Sequence, residues 1–506
     1  MSQPSHLPNL SPDLQQWLPD GLEKSIPLAV AFFLVVLTVV SLKPSQPHLK
    51  HLPVVNPPKS KFQSSMETTR QYLAQSKNLI ERGRKLWPNQ PFRMFTDQGS
   101  VVVLPLSLGQ EIRNFKELDF LSFTRKWFHF GIPGFEGITT GMHGDGLLVH
   151  VVRKPLTQSL NKVPEGLAEE TDHVVHSQFG NSKEWHELDF AKASFQVVSQ
   201  ASDRVFLGEE LCRNKEWLRV TTEYGHKSVA QTAKLSVFPK FLRPLVHWFM
   251  PGVKELRTLI AEAAALMQPI IDQRRKAKAD ALAKGKSAPV YNDCIKWAEA
   301  EATGPYDPAI FQLTMAFVAL HTTSNLLVIH VLRTDGWKKT SLYNMKKLDS
   351  VIKEVQRLRP LISMRREVMA PVTLSNGLSL KTGDSLIVDS LSGMRDPNVY
   401  ENPNEFDPWR FSRWREDPQK ERIAQLASTS VNHLGFGLGS HSCVGRFFAA
   451  NELKVILAHL LVQYEWKPAP TTTKEVIIQG AFQSSPPNMP LLFRRRENPE
   501  LDIASL

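Results

Sequence analysis

With 506 residues, 42% of them hydrophobic and 22% charged, the chain can bury a large core, and its composition excludes a solvated, disordered tail. Only three cysteines occur, Cys212, Cys294 and Cys443, far apart and without a CxxC pair, which argues against a disulfide framework and against a zinc cluster. The net charge of +11 favours an anionic membrane surface or an acidic protein as partner over nucleic acid, because no zinc-finger or aromatic RNA-binding signature accompanies the basic residues.

The first predicted element is a membrane anchor. Residues 26–42 read IPLAVAFFLVVLTVVSL without a charge, at the short end of the roughly 17 to 25 residues that span a bilayer. The run starts late, lacks a basic segment before it and is followed by Lys43-Pro44 rather than a small-residue cleavage site, which favours an anchor over a cleaved signal peptide. Asp13, Asp20 and Glu23 precede it with only Lys24, while Lys43, Lys50, Lys59 and Lys61 follow, so the positive-inside bias puts the body in the cytosol. The expected organisation is a luminal N-terminus (1–24), a transmembrane anchor (25–42), a stiff proline-rich hinge (43–58) and a catalytic domain (59–506).

In the body, Phe92 to Pro105 reads as two strands around Asp97-Gln98-Gly99, and Ser375-Asn376-Gly377 marks a second hairpin. Helical periodicity dominates elsewhere, as from Leu256 to Arg275 and from Leu348 to Leu358, so the fold class is mainly α with small β-sheets. Phe238, Phe241, Leu245, Trp248 and Phe249 are interleaved with Lys240, Arg243 and His247; core packing and a dip into a membrane interface are both open readings. The basic stretch from Arg274 to Lys286 reads as a solvated helix end and loop.

A long helix is predicted to start at Asp307-Pro308, an N-cap followed by proline. Its apolar run from Ile310 to Leu332 is interrupted by His321-Thr322-Thr323-Ser324-Asn325. Five polar residues at mid-depth argue against a second transmembrane span, and hydroxyls bonded back to the helix are the plainer structural reading. Further on, Leu348, Val351, Ile352, Val355 and Leu358 form an apolar face ending before Pro360, with Glu354 and Arg357 spaced to share one flank. By itself that pair is a common surface feature.

The most informative stretch is Phe436-Gly437-Leu438-Gly439-Ser440-His441-Ser442-Cys443-Val444-Gly445-Arg446. It is a glycine-bearing loop whose cysteine opens a helix with Ala450, Leu453, Leu457 and Leu460 on one apolar face. Backbone N–H groups and the helix dipole at such a position favour thiolate, a strong metal ligand. Gly437, Gly439 and Gly445 leave room for a flat macrocycle, Phe436 can cover the sulfur, and His441 can reach a carboxylate of the bound group.

This loop resembles the haem-binding loop of the cytochrome P-450 superfamily, matching its F-G-x-G-x-H/R-x-C-x-G pattern at each specified position. Glu354-x-x-Arg357 and Phe406-Asp407-Pro408-Trp409-Arg410-Phe411 precede it in the family's order, and the overall style is that of the fungal microsomal branch. The resemblance implies a cytochrome P-450 fold, haem b (iron protoporphyrin IX) with Cys443 as axial ligand, and a structural network of Glu354, Arg357 and Arg410. It implies that Arg365 or Arg366 pairs a haem propionate, with Arg153 as a weaker candidate. It also implies electrons from an NADPH-cytochrome P-450 reductase, with cytochrome b5 as an optional second donor, and an endoplasmic reticulum location. The reaction implied is oxygen insertion into a lipophilic secondary metabolite of terpenoid, meroterpenoid or alkaloid-like character.

By the same resemblance Thr322 stands at the proton-relay alcohol, aided by Thr323. His321 replaces the acid that usually precedes it, so an imidazole would shuttle the proton. The pocket would draw on Phe317, Ala319, Leu320, Leu361, Ile362, Met364 and Phe482, and the reductase would dock near Arg413, Arg415, Lys420 and Arg422. Two other readings keep parts of this scheme: a haem-thiolate isomerase, dehydratase or peroxygenase, and a non-catalytic haem-binding membrane protein.

Overall fold

Helices carry most of the described chain, as the 3.6-residue periodicity predicts. The computed structural model describes residues 46–58, 65–140, 146–320, 339–358, 364–472, 477–480, 482–484, 488–497 and 499. The expected anchor lies outside these residues, as do His321, Thr322, Thr323, Leu361 and Ile362. Among the described residues no helix is long and apolar enough to cross a membrane. Chain contacts separate residues 1–51 from residues 52–506. The described part of the first unit holds a short 3-10 turn, Pro47–Leu49.

In the second unit the long helices are α1 (Ser65–Leu86), α2 (Val163–Phe179), α3 (Phe190–Phe206), α4 (Lys215–Ser236), α5 (Pro251–Ala283), α6 (Pro308–Leu320), α7 (Lys346–Leu358) and α8 (Arg446–Gln463). Side-chain caps set several starts: Asn214 accepts from the N–H groups of Glu216 and Trp217, and Asp307 from those of Ala309 and Ile310. From Phe448 onward α8 is buried on every face, the mark of a helix enclosed by others.

The strands are β1 (Phe92–Thr96), β2 (Gly99–Leu104), β3 (Leu118–Asp119), β4 (His186–Asp189), β5 (Arg365–Val368), β6 (Val372–Thr373), β7 (Ser379–Leu380), β8 (Ser385–Val388), β9 (Tyr464–Pro468), β10 (Ile477–Gln479), β11 (Phe482–Ser484) and β12 (Pro490–Arg495). The principal sheet has the order β1-β2-β8-β5-β3, with β2 and β8 parallel and the other pairs antiparallel. The others are β4-β12-β9, β10-β11 and β6-β7. Both predicted hairpins form: β1 pairs β2, and β6 pairs β7 around Gly377. Gly99 follows the first turn with φ +97°, a conformation that favours glycine.

The aromatic segment after α4 is not core. Phe241, Leu245, Trp248 and Phe249 are 45%, 60%, 56% and 78% exposed, whereas the interleaved Arg243 and His247 are buried. The basic stretch is solvated as expected except at its start, where Arg274 leaves water to pair Asp293 at 2.8 Å.

Candidate active site

The loop before α8 folds back on itself: the Cys443 N–H donates to the Phe436 carbonyl at 2.7 Å, and Arg446 Nη1 donates to the Cys443 carbonyl at 2.8 Å. Gly437 and Gly439 have φ of +75° and +72°. A Cβ on Gly439 would lie 2.3 Å from the Arg113 carbonyl oxygen. The backbone of the segment after helix Leu106–Ile112 therefore leans directly on the loop.

The sulfur's environment departs from the sequence expectation in one respect. Burial pushes the Cys443 thiol up, and this outweighs the N–H groups of Gly445 and Arg446 and the Arg446 charge, all of which favour thiolate. The helix start alone does not ionise it, because desolvation is the larger effect. A sulfur enclosed this way, yet faced by two amide donors, loses its proton when a bound cation takes up the charge. That donor chemistry fits a haem iron.

Before the loop in the chain, Glu354 accepts from Arg357 Nε and Nη2 at 2.8 Å each and from Arg410 Nε at 3.2 Å. All three side chains are buried. Arg357 also donates to the carbonyls of Met394, Pro403 and Glu405, and Arg410 to that of Glu401. The triad thus gathers the carbonyls of Met394, Glu401, Pro403 and Glu405, in the segment leading from β8 towards the cysteine loop. Tyr400 lies under Arg357 at 4.9 Å, a contact with no local signal in the sequence.

Arg365 and Arg366 are neighbours on β5, so strand alternation sends them to opposite faces. Arg366 is buried on the side of Asp119 and His441. Its Nη1 donates to the Arg365 carbonyl at 2.8 Å, while Nε and Nη2 have no partner among the described residues. Burial lowers it to about 10. His441 sits 3.9 Å from Asp119 and is held below the usual imidazole range, chiefly by burial and then by the Arg366 charge. Arg153, on a π-helical turn (Val152–Leu156), donates to the Ser440 carbonyl at 3.4 Å. Arg366, His441 and Arg153 therefore converge beside the cysteine loop, Arg366 with two buried donors to spare, an arrangement that calls for an anion and fits the carboxylates of a porphyrin.

Arg365 takes the other face, its guanidinium 4.4 Å from the Trp127 ring centre. Arg415, expected to be free for docking, is instead buried and paired with Asp349 at 2.9 Å. Its neighbours in that expectation fare differently: Arg413 pairs Asp407, and Lys420 lies 3.4 Å from Asp417, both at the surface.

Of the expected pocket residues, Phe317 is buried in α6 with its ring edge-on to Phe128 at 5.5 Å. Met364 is fully buried beside β5, and Ala319 is half-buried. Leu320 ends α6 and Phe482 begins β11, but their side chains lie outside the described residues.

A mainly helical body with small sheets, a cysteine loop entering a buried helix and a buried Glu-Arg-Arg triad define a haem-thiolate protein. The chain belongs to the cytochrome P-450 family: the family profile, Cytochrome P-450, matches residues 328–493. The chain is 39% identical over 471 residues to cytochrome P-450 monooxygenase hepE of Aspergillus oryzae, spanning 88% of this chain and 86% of that one. It is 39% identical over 483 residues to cytochrome P-450 monooxygenase eqxH of Fusarium heterosporum (90% and 93%). Dihydromonacolin L monooxygenase mokC of Monascus pilosus is 34% identical over 511 residues (96% of each). The fold matches retinoic acid bound cyanobacterial CYP120A1 with a TM-score of 0.61 at 15% identity, over 85% of this chain and 96% of that one. The protein is a haem-thiolate monooxygenase with haem as its cofactor.

Proposed function

We propose that this enzyme oxidises a lipophilic secondary metabolite, terpenoid, meroterpenoid or alkaloid-like, using molecular oxygen and electrons from an NADPH-cytochrome P-450 reductase. The observation that carries the reading is the Cys443 loop, whose enclosed sulfur faces two amide donors at the mouth of α8. Cys443 would hold the iron, and Arg366, His441 and Arg153 would hold the propionates. Arg365 also keeps two buried donors, Nε and Nη1, unpaired among the described residues, but its guanidinium packs on Trp127, on the other face of the strand. When bound, the haem supplies oxygen activation at a thiolate-ligated iron.

The chain's own groups then bind, orient and deliver protons. Phe317 and Met364 present apolar surface to the substrate side, which suits a bulky lipophilic molecule. Thr322 and Thr323 carry hydroxyls able to hold water, and His321 is an imidazole able to pass a proton near neutral pH. His321 in the place of a carboxylate favours a second reading, in which peroxide replaces oxygen and the reductase. Product formation with oxygen, NADPH and reductase, compared with peroxide alone, separates them. The reductase-driven reading fails if only peroxide supports turnover.

We place the enzyme on the endoplasmic reticulum membrane through residues 25–42, with the exposed Phe241, Leu245, Trp248 and Phe249 resting in the interface beside Lys240 and Lys254. Resistance of the full chain to alkaline carbonate extraction tests the anchor. Conversion of Leu245 and Phe249 to serine should weaken vesicle binding only where the anchor has been deleted.

A further inference from the structure

The β1–β2 turn carries a carboxylate where a surface hairpin needs none. Asp97 is buried and leaves its own turn to other groups, since the Gln98 N–H is taken by Thr96 Oγ1. Its Oδ2 accepts from the Trp127 indole N–H at 2.9 Å, from Gln98 Nε2 at 3.1 Å and from Ser236 Oγ at 3.2 Å. Arg243 approaches from beneath the exposed aromatic strip and donates to the Asp97 carbonyl at 2.8 Å. Burying a carboxylate is costly, and a hairpin kept only for stability would do as well with an apolar residue. What the carboxylate does is fix one indole.

Trp127 is held on two sides, at its N–H edge by Asp97 and on its face by the Arg365 guanidinium at 4.4 Å. The next residue, Phe128, packs its ring 5.4 Å from that of Trp127 and presents its edge to Phe317 at 5.5 Å and 88°. Aromatic pairs of this kind hold a defined mutual angle. A side chain outside the pocket is therefore linked by one hydrogen bond and two ring contacts to α6.

We propose that Asp97 is a positioning residue for the substrate pocket, setting through Trp127 and Phe128 the orientation in which Phe317 meets a ligand. This rests on the reading that Phe317 lines the pocket.

The test uses the haem-loaded full chain and 4-phenylimidazole as probe, with affinity read from the Soret shift. Asp97→Ala should weaken binding about tenfold, the scale of one lost charge-assisted hydrogen bond. Asp97→Asn, whose amide oxygen still accepts from the indole, should restore most of it. Trp127→Phe removes the indole N–H together with the five-membered part of the ring, so it should weaken binding at least as much as Asp97→Ala does, and the double variant should be no weaker than Trp127→Phe. If Asp97→Ala fails to fold, Trp127→Phe carries the comparison alone. The proposal is overturned if Trp127→Phe binds the probe as wild type does while Phe317→Ala weakens it, or if the two single effects multiply. If Phe317→Ala itself changes nothing, the pocket reading falls and this inference with it.

Discussion

Glu354 and Arg357 meet through two parallel hydrogen bonds of 2.8 Å with both side chains fully enclosed. Removal of one partner strands the other charge in a dry interior, which costs about 3 to 5 kcal/mol. Glu354→Ala strands two guanidinium groups and should be the worst of the triad variants. Arg357→Lys should also fail, because an ammonium cannot reproduce the fork that binds both carboxylate oxygens and three carbonyls. The haem-to-protein ratio after purification measures it. Normal haem content in Arg357→Lys would show that the triad does not hold the loop.

The glycines of the cysteine loop should separate into two kinds. Gly439 needs a positive φ and has the Arg113 carbonyl where a Cβ would go, so Gly439→Ala should lower the melting temperature of the haem-free chain. Gly445 has only Val152 Cγ1 nearby, at 3.7 Å from an added Cβ, so Gly445→Ala should leave the haem-free chain as stable as wild type. If a macrocycle lies against that backbone, the same variant should weaken haem binding. Equal haem affinity in Gly445→Ala and wild type would remove Gly445 from the haem contact.

How much of this was legible in the sequence follows from how local each feature is. The cysteine loop, both hairpins and the long helices are written in short contiguous stretches, and they stand where the residues put them. Glu354, Arg357 and Arg410 were legible only because their order matched a family pattern, since i, i+3 spacing alone says nothing of burial. Arg415 was misjudged for that reason: its partner Asp349 lies 66 positions away, and no local signal distinguishes a buried arginine from a docking one. The Asp97 cluster was invisible. It joins a turn, a short helix and the end of α4, which only the fold brings together.

Strand alternation, by contrast, could have divided the two arginines of β5. Arg366 faces His441 and Asp119, and Arg365 faces Trp127. Arg366→Gln should therefore weaken haem retention more than Arg365→Gln, and only Arg365→Gln should alter Trp127 fluorescence. Haem transfer to apomyoglobin gives the first quantity. Faster loss from Arg365→Gln than from Arg366→Gln would reverse the assignment.

A last prediction concerns pH. Asp203 on α3 is buried beside the Trp217 indole and stands near the carboxyl of Glu452 on α8, which itself accepts from Ser202. Burial, reinforced by the neighbouring acid, holds Asp203 well above the usual carboxylate range despite the nearby Trp217 indole N–H. The folded chain thus keeps a proton that the unfolded chain releases near its ordinary value of about 3.9. Its contribution to stability is complete below that value and is lost as pH rises towards the folded-state value, by up to about 1.4 kcal/mol per unit. Asp203→Asn has nothing to ionise and nearly the same shape. It should match wild type near pH 4, grow more stable relative to it with rising pH, and level off once wild-type Asp203 ionises. Urea unfolding of both chains at pH 4, 5, 6, 7 and 8 measures the difference. A gap that stays constant across that series, or narrows as pH rises, would mean that Asp203 is already ionised in the folded enzyme.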